Sequence, residues 1–596
     1  MVKLPLGMTP QQTMEVLQRA LADHQSGRTR EAEAAYRRVL AEQPNHPDAL
    51  HLLGVLLTQH GNAVAALPLL QRAAQLGPNV AQFHFHLGQA WAALNRHNEA
   101  LASFATAIRL DPRDGLMRSE AGASLAAIGR PVESLEQHRI ATELAPANAA
   151  ILGNYGMALF RAGRPQDALL VLRRAVALDP NDVGVRLQLG EVVWQTSNYE
   201  EANQIAQQAM RLAPNDPRVK LLLGNTLQTL ARFEEAADVY RELAQLDPNS
   251  FDAYSNLALT LLKMGEAKQS LEMYDRAIAR WPERADARAN RSLAILTLGD
   301  LTRGFAEYES RWQSAAFAGK GAPSSAPRWH GEDPTGKTIL ITTEQGMGDV
   351  IQFVRYAPLL AARGATVIVA CAPEIRSLVA TVGGIARILV PGEPLPTVDW
   401  YAPILSLPHI FGTTLQTIPA DVPYLRADPQ LVSQWRDRLS DDANLKVGLV
   451  WAGNPAHQND RSRSCRLADL APLAGVEGVT FYSLQVGEPS KQPTPPGMRL
   501  VQLGPDIPNT AAALENLDLL ISVDTSIAHL GGALARPVWL ALARGPDWRW
   551  MLDREDSPWY PTFRLFRQDK PGAWVPLFER MADALRQRVK QKEVTS

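Results

Sequence analysis

Residues 79–112, NVAQFHFHLGQAWAALNRHNEALASFATAIRLDP, decide how the first half of the chain folds. Gly88 stands 24 residues before Pro112 and Ala100 stands 12 before it, with Phe104 one helical turn further on. Small residues at two such points let a pair of helices approach, a bulky ring fills the groove beside them, and proline ends the second helix. The signature recurs outward in both directions. Prolines fall at 44, 78, 112, 146, 180, 214, 248 and 282, each 34 residues after the last. The first small site recurs as Ala20, Gly54, Gly122, Gly156, Gly190, Gly224, Ala258 and Ser292. The second recurs as Ala32, Ala66, Ser134, Ala168, Ala202, Ala236 and Ser270, and Tyr36, Tyr240 and Tyr274 match Phe104.

A period of 34 is the tetratricopeptide length, in which helix hairpins stack into an α superhelix. Residues 13–318 are assigned to about nine such repeats, the last a degenerate cap, after a leader over 1–12. The sixth position of each repeat is expected on the concave face, where it reads His86, Glu120, Asn154, Gln188, Asn256 and Asn290. A polar row there suits an extended peptide held through side-chain amides, so Asn154, Gln188, Asn256 and Asn290 are candidate peptide-binding residues. An ordinary solvated face accounts for the same row. This half resembles the O-GlcNAc transferases, which use an asparagine ladder in that way; the row here is an incomplete version of it.

The period fails after Trp312. Residues 319–335, rich in glycine, proline and serine, read as a linker. From Thr338 short apolar runs alternate with helical segments. Strands are predicted at 338–343, 365–371, 387–390 and 400–405, then at 447–451, 481–485, 519–523 and 538–542. Helices are predicted at 349–362, 467–473, 510–517 and 526–534, with a closing helix near 576–590. Strand–helix alternation implies parallel, doubly wound sheets. Residues 336–430 and 431–596 are read as two Rossmann-like domains. The tandem suggests the GT-B architecture of glycosyltransferases, with ligand in the cleft at the strand C-termini.

Three motifs follow predicted strands. Glu344-Gln345-Gly346-Met347-Gly348-Asp349 comes first. Its glycine pair permits a sharp turn into a helix whose start faces a polar or anionic ligand. No lysine follows the glycines, so it is not a Walker loop, and the third glycine of the dinucleotide fingerprint is missing. Asp349 reads either as a functional carboxylate or as a helix cap. In Asp524-Thr525-Ser526-Ile527-Ala528-His529, Thr525 and Ser526 open a helix and offer hydroxyl and N–H groups to a phosphate. His529 suits phosphate or ribose as well as it suits packing. The third motif comprises Trp451, Gly453, Asn454 and His457, with Arg461, Arg463 and Ser464 behind. Arginines in such a loop clamp phosphate in bidentate fashion. His457, Asp460 and Cys465 fit no standard zinc spacing, so no metal is expected. Ser483 and Gln485 end another strand beside these, and Pro546–Trp550 combines aromatic and charged groups suited to stacking a base or a sugar face.

The stretch ILITTEQGMGDVIQFVRY at 339–356 resembles the opening of bacterial glycosyltransferases related to the heptosyltransferases, and Asp524–Ala533 resembles their Asp-Ser/Thr-x-x-x-His-Leu-Ala-Ala segment, with Gly532 where alanine is common. The resemblance implies Asp349 as catalytic base, with Glu344, Gln345, Gly346 and Gly348 shaping its loop. It implies a nucleotide-sugar site built from the second and third motifs with Ser483 and Gln485. Repeats joined to such a transferase occur in protein glycosyltransferases, including those that act on flagellin. The expected function is thus O-glycosylation of a serine or threonine on a protein recruited by the repeats, with inversion favoured. Flagellin is the leading acceptor, and CMP carrying an acidic nine-carbon (nonulosonic) sugar, or a UDP-sugar, the donor; no further cofactor is expected. Two alternatives stay open: a lipopolysaccharide or glycan transferase that needs no repeat arm, and a scaffold that has lost catalysis.

Composition agrees with a soluble globular chain rather than a disordered one or a polyelectrolyte binder. The 596 residues are 46% apolar and 20% charged, with 60 basic and 62 acidic side chains and a formal charge of −2. So small a charge gives no support for a nucleic-acid partner. Cys371 and Cys465 are the two cysteines, too few for a disulfide framework. No run of some 18 uncharged apolar residues occurs, so no membrane span is expected, and Met1–Gln12 lacks a signal-peptide core. A cytoplasmic location follows as the expectation.

Overall fold

The small and bulky positions of the repeats meet as helix–helix contacts. A Cβ on Gly54 would lie 2.5 Å from Leu70, one on Gly88 2.5 Å from Phe104, and one on Gly156 2.5 Å from Leu172. No side chain fits between, which is why glycine stands there. The bulky partner follows Ala66, Ala100 or Ala168 by four residues, one helical turn, and all three alanines are fully buried.

The computed structural model describes residues 8–314, 317, 326–455, 457, 459–504 and 506–595. Most of the expected leader and residues 319–325 of the expected linker lie outside them. The chain divides into two compact units, Met1–Thr226 and Leu227–Ser596, the boundary falling inside the helix Pro217–Thr229. In the first unit, the helices from Pro10–Gln25 to Tyr199–Leu212 pair consecutively into hairpins. The core of the first hairpins includes Tyr36, Leu53, Phe83 and Phe104, and that of the later ones Leu159, Leu172 and Leu189.

The second unit opens with the remaining repeat helices: Phe233–Leu246, Phe251–Lys263, Ala267–Arg280, Ala285–Thr297 and the short Leu301–Tyr308. Two sheets follow, and every strand pairing described in them is parallel. The first contains β1 (Thr338–Thr342), β2 (Thr366–Ala370), β3 (Ile385–Leu389) and β4 (Trp400–Pro403) in the order β3-β2-β1-β4. The second contains β5 (Leu445–Val450), β6 (Val479–Ser483), β7 (Leu500–Gln502), β8 (Leu519–Val523), β9 (Val538–Leu542) and β10 (Phe563–Arg567) in the order β10-β9-β8-β5-β6-β7. β7 and β10 were not expected from the sequence. Both are edge strands, one of three residues and one carrying two arginines.

Helix bounds differ where proline or a cap intervenes. The expected helix at 349–362 is two helices, Met347–Phe353 and Ala357–Ala362, separated by a tight turn at Val354–Tyr356. Pro358 cannot donate to a continuous helix ladder. The helix expected at 510 starts earlier, as Ile507–Glu515, because Asp506 accepts the Asn509 N–H at 2.9 Å and caps it. The closing helix is Trp574–Thr595.

The domain limits read from the sequence are also displaced. The limit at 430 falls inside the helix Pro429–Arg438. Within the expected linker, Trp329 is fully buried and its N–H donates to the Tyr401 carbonyl at 2.8 Å, so residues 326–335 are a strap on the first sheet. Leu296, Leu301 and Phe305 of the last hairpin share one apolar core with Ile339 and Ile341 of β1 and with Trp548 and Trp550. The later repeats therefore fold with the sheets, and the compact unit begins near 227 rather than near 336.

Candidate functional site

The C-terminal ends of both sheets face one cleft of about 1390 Å³ in the second unit. Two helix starts meet in its floor. Gly348, in the helix Met347–Phe353 after β1, lies against the helix Ser526–Ala533 after β8. A Cβ there would sit 3.1 Å from the His529 ring and 3.5 Å from the Ser526 Cα. Glycine thus eases a close approach, and the approach brings Asp349 and the Asp524–Ser526 segment to one site.

Asp349 is the third residue of its helix, not its cap, and Gly346 occupies the cap position. Its carboxylate pairs with the buried guanidinium of Arg549, which also holds Asp547 at 2.9 Å. Burial pushes the Asp349 carboxyl up, and Arg549 opposes that shift. Asp547 is likewise pushed up by burial, but Arg549 and Lys263 outweigh this and hold it below its ordinary value. At Asp524 the charges of Arg463 and Arg549 pull down less than burial and a neighbouring carboxylate push up. Burial, then the charge of Asp547, raises it to about 6. His529 is buried, its Nδ1 lies 3.0 Å from the Tyr560 hydroxyl, and its ring stacks on Trp550 at 5.4 Å. Burial, then Arg549, lowers it to about 3, so it stands neutral.

Other expected residues divide between cleft and frame. Gln345, Gly346, Gly348, Gly453, Asn454, His457, Arg463, Gln485, Asp524, Thr525 and Ser526 line the cleft with Asp349 and His529. Gln345 donates to the Tyr308 hydroxyl at 2.6 Å. The Gln485 amide is committed to backbone: it accepts the N–H groups of Trp451 and Ala452 and donates to the Ala452 carbonyl at 3.0 Å. It holds the β5 end against the β6 end. Glu344, Trp451, Arg461, Ser464 and Ser483 do not line the cleft, contrary to expectation. Glu344 points back, accepting from Arg311 at 3.1 Å and from the Leu405 N–H at 3.2 Å. Trp451 and Ser483 fall on the wrong side by strand alternation. Val450 and Ala452 face the cleft while Trp451 enters the core beneath the closing helix, and Leu484 faces the cleft while Ser483 is turned away and buried. Arg461 is exposed, and Ser464 ties the Gly453 N–H to Asp460.

Of the aromatic segment, Trp548 and Arg549 reach the cleft, whereas Trp550 is fully buried between His529 and Phe563. Residues missed altogether include Leu262, Lys263, Leu293 and Thr297 from the repeats, and Glu374, Arg376, Ser377, Glu488 and Asp506 from the segments after the strands, all of which line the cleft. No local signal marks those of the repeats. Asp547 and Arg549 were visible as charged groups after β9, but their pairing with Asp349 was not.

The polar row is described unit by unit. In the first unit, Asn154 donates to Ser119 at 3.1 Å and Gln188 donates to Asn154 at 3.4 Å, so successive rungs bond each other. They edge a small cavity of about 260 Å³ with His138 and Arg161. His51 and His86 form a similar rung at 2.8 Å. In the second unit, Asn256 and Asn290 are half-buried.

Tetratricopeptide-repeat models match residues 17–81, 61–115, 120–183 and 255–322, and others match 159–226 and 232–265. The N-terminal region is an array of tetratricopeptide repeats. Protein FlbA of Caulobacter vibrioides is 28% identical over 315 residues, covering 48% of this chain and 52% of FlbA. The chain thus spans about half the length of this relative. Among solved structures, the Cut9–Hcn1 APC/C hetero-tetramer aligns at 19% identity and a TM-score of 0.40, over 47% of this chain and 55% of that one. PilF of Pseudomonas aeruginosa aligns at 22% and 0.30, over 35% and 94%. Arrays of this kind serve protein–protein interaction. Among the described residues no helix is long and apolar enough to cross a membrane.

Proposed function

We propose that the chain is a protein O-glycosyltransferase that moves a sugar from a nucleotide donor to a serine or threonine of a protein recruited by its repeats. The observation that carries this reading is the meeting of Asp349 with the Asp524–Ser526 helix start in one cleft at the ends of two parallel sheets. In this scheme the Asp349 carboxylate takes the proton of the acceptor hydroxyl. The hydroxyl oxygen bonds to the anomeric carbon, and the bond from that carbon to the donor phosphate breaks with its electron pair on the phosphate. Arg549 supports the base by opposing the upward push of burial on its carboxyl. The N-terminus of the helix Ser526–Ala533, with Arg463 across the cleft, offsets the charge on the departing phosphate in place of a metal. Flagellin as acceptor, and a CMP-linked nonulosonic acid or a UDP-sugar as donor, are the specific substrates we assign within this class.

The test is calorimetry with CMP, UDP, GDP and ADP on the wild type and on Asp524→Ala. Selective binding of one nucleotide, weakened by the substitution, is expected and names the sugar family to try. If a well-folded protein binds none of the four, the donor site is not where this reading puts it.

A further inference from the structure

Helix Phe251–Lys263 ends at the cleft, and its final residue is a cation. Lys263 lines the cleft and, among the described residues, its ammonium makes no hydrogen bond or ion pair. Its backbone is tightly held. A Cβ on Gly545 would lie 2.2 Å from the Lys263 carbonyl oxygen, and one on Gly265 3.0 Å from the Arg544 carbonyl. Gly265 also has φ +81°, the left-handed turn that directs the chain away after Lys263. Repeat turn and β9 loop therefore interlock, and only glycines allow it.

Lys263 is not alone there. Arg463 and His457 line the same cleft from the loop after β5. The Arg463 Nε is buried without a hydrogen-bond partner and lies 3.6 Å from Asp460. Arg463 disfavours the charge of Lys263 and His457, and Lys263 that of His457. Burial and Arg463 lower Lys263 to about 8, against the pull of Asp547 and Asp524. Burial, then Arg463 and Lys263, lower His457, opposed by Asp460 and Asp547. Arg544 adds a further positive charge behind Gly265. Mutually repelling, partly dehydrated cations lining a cleft are relieved by an anion seated among them.

We infer that Lys263, Arg463 and His457 form a phosphate-binding subsite, so that the repeat array supplies one of the groups that bind the substrate phosphate. This rests on the donor-cleft reading above and deepens it: the array completes the cleft as well as recruiting the acceptor. Anion binding should recharge Lys263 and so take up part of a proton near pH 8, with affinity falling as pH rises through that value.

The experiment is titration calorimetry of the full chain with pyrophosphate, and separately with CMP and UDP, at pH 8 in two buffers of different ionisation enthalpy. The variants are Lys263→Met, Lys263→Arg and Arg463→Met, each checked for unchanged thermal unfolding. One lost charge-assisted contact is expected to weaken pyrophosphate at least about tenfold in Lys263→Met. Proton uptake should be abolished there and binding largely kept in Lys263→Arg. Binding by Lys263→Met at wild-type strength would overturn the subsite, while nucleotide binding by the same proteins would leave the donor site standing. Lys263-dependent pyrophosphate binding with no nucleotide bound would support the subsite and remove the nucleotide-donor reading. A wild type that binds none of the three probes overturns both.

Discussion

Asp349 and Arg549 form an ion pair between residues 200 apart in sequence, one at the helix start after β1 and the other in the loop after β9. The pair joins the two sheets across the floor of the cleft. It also sets two effects against each other: burial favours the protonated carboxyl, and the guanidinium favours the carboxylate. Asp349→Asn should therefore lower turnover about 100-fold or more, the usual contribution of a general base, while nucleotide binding is kept. Arg549→Gln should leave Asp349 harder to ionise and move the acidic limb of the rate profile to higher pH. Unchanged turnover in Asp349→Asn would remove it as base, and an unmoved acidic limb in Arg549→Gln would remove the arginine as its support.

Asp524 carries a stability cost whose sign follows from its surroundings. Its folded value near 6 lies above the ordinary aspartate value, because burial and Asp547 both oppose the charge. Well below pH 4, the folded and unfolded forms are alike protonated, and the site contributes nothing. Between about pH 4 and 6 the unfolded chain loses the proton while the folded one keeps it, so stability falls as pH rises. Above pH 6 the full cost is present. Asp524→Asn should therefore stabilise the protein at pH 7.5 by something on the order of 1–3 kcal/mol, with the gain shrinking toward pH 4.5. Thermal unfolding of both proteins at the two pH values decides it; a gain equal at both would place the effect in packing rather than charge.

How much of this was legible depended on whether the relevant distance was local. The repeats were legible because Gly88 and Phe104, or Gly156 and Leu172, constrain each other within one hairpin. The strands β1, β2, β8 and β9 were legible as buried apolar runs flanked by turns. β10 was hidden because Phe563–Arg567 alternates arginine with aromatic residues at a sheet edge. In the site, Asp524, Thr525 and Ser526 were legible because they follow a strand directly, and Gly348 and Asp349 because a glycine turn after a strand opens their helix. Trp451 and Ser483 were misassigned because a one-residue error in strand parity moves a side chain to the opposite face. Lys263 was invisible: its place in the cleft arises only where Gly265 and Gly545 let a repeat turn press on a loop some 280 residues away.

The same contacts predict where the chain can be cut. A C-terminal fragment that began at residue 319 would lose Leu296, Leu301 and Phe305, which are at most 2% exposed and share their core with both sheets. Phe305 meets the Trp548 ring edge-on at 5.3 Å. Burial of each such side chain contributes about 1.5–3 kcal/mol, so losing three approaches the whole margin of an ordinary domain. The cleft would also lose the wall formed by Lys263, Leu293 and Thr297. A fragment from residue 227 keeps all of these and corresponds to a compact unit of its own. We expect residues 227–596 to unfold cooperatively in urea, and residues 319–596 to be insoluble or to bind a hydrophobic dye without a cooperative transition. Deletion of the repeats up to 318 therefore cannot separate acceptor recruitment from catalysis, whereas deletion up to 226 can. A cooperative, dye-free 319–596 fragment would show that the last hairpins merely rest on the sheets.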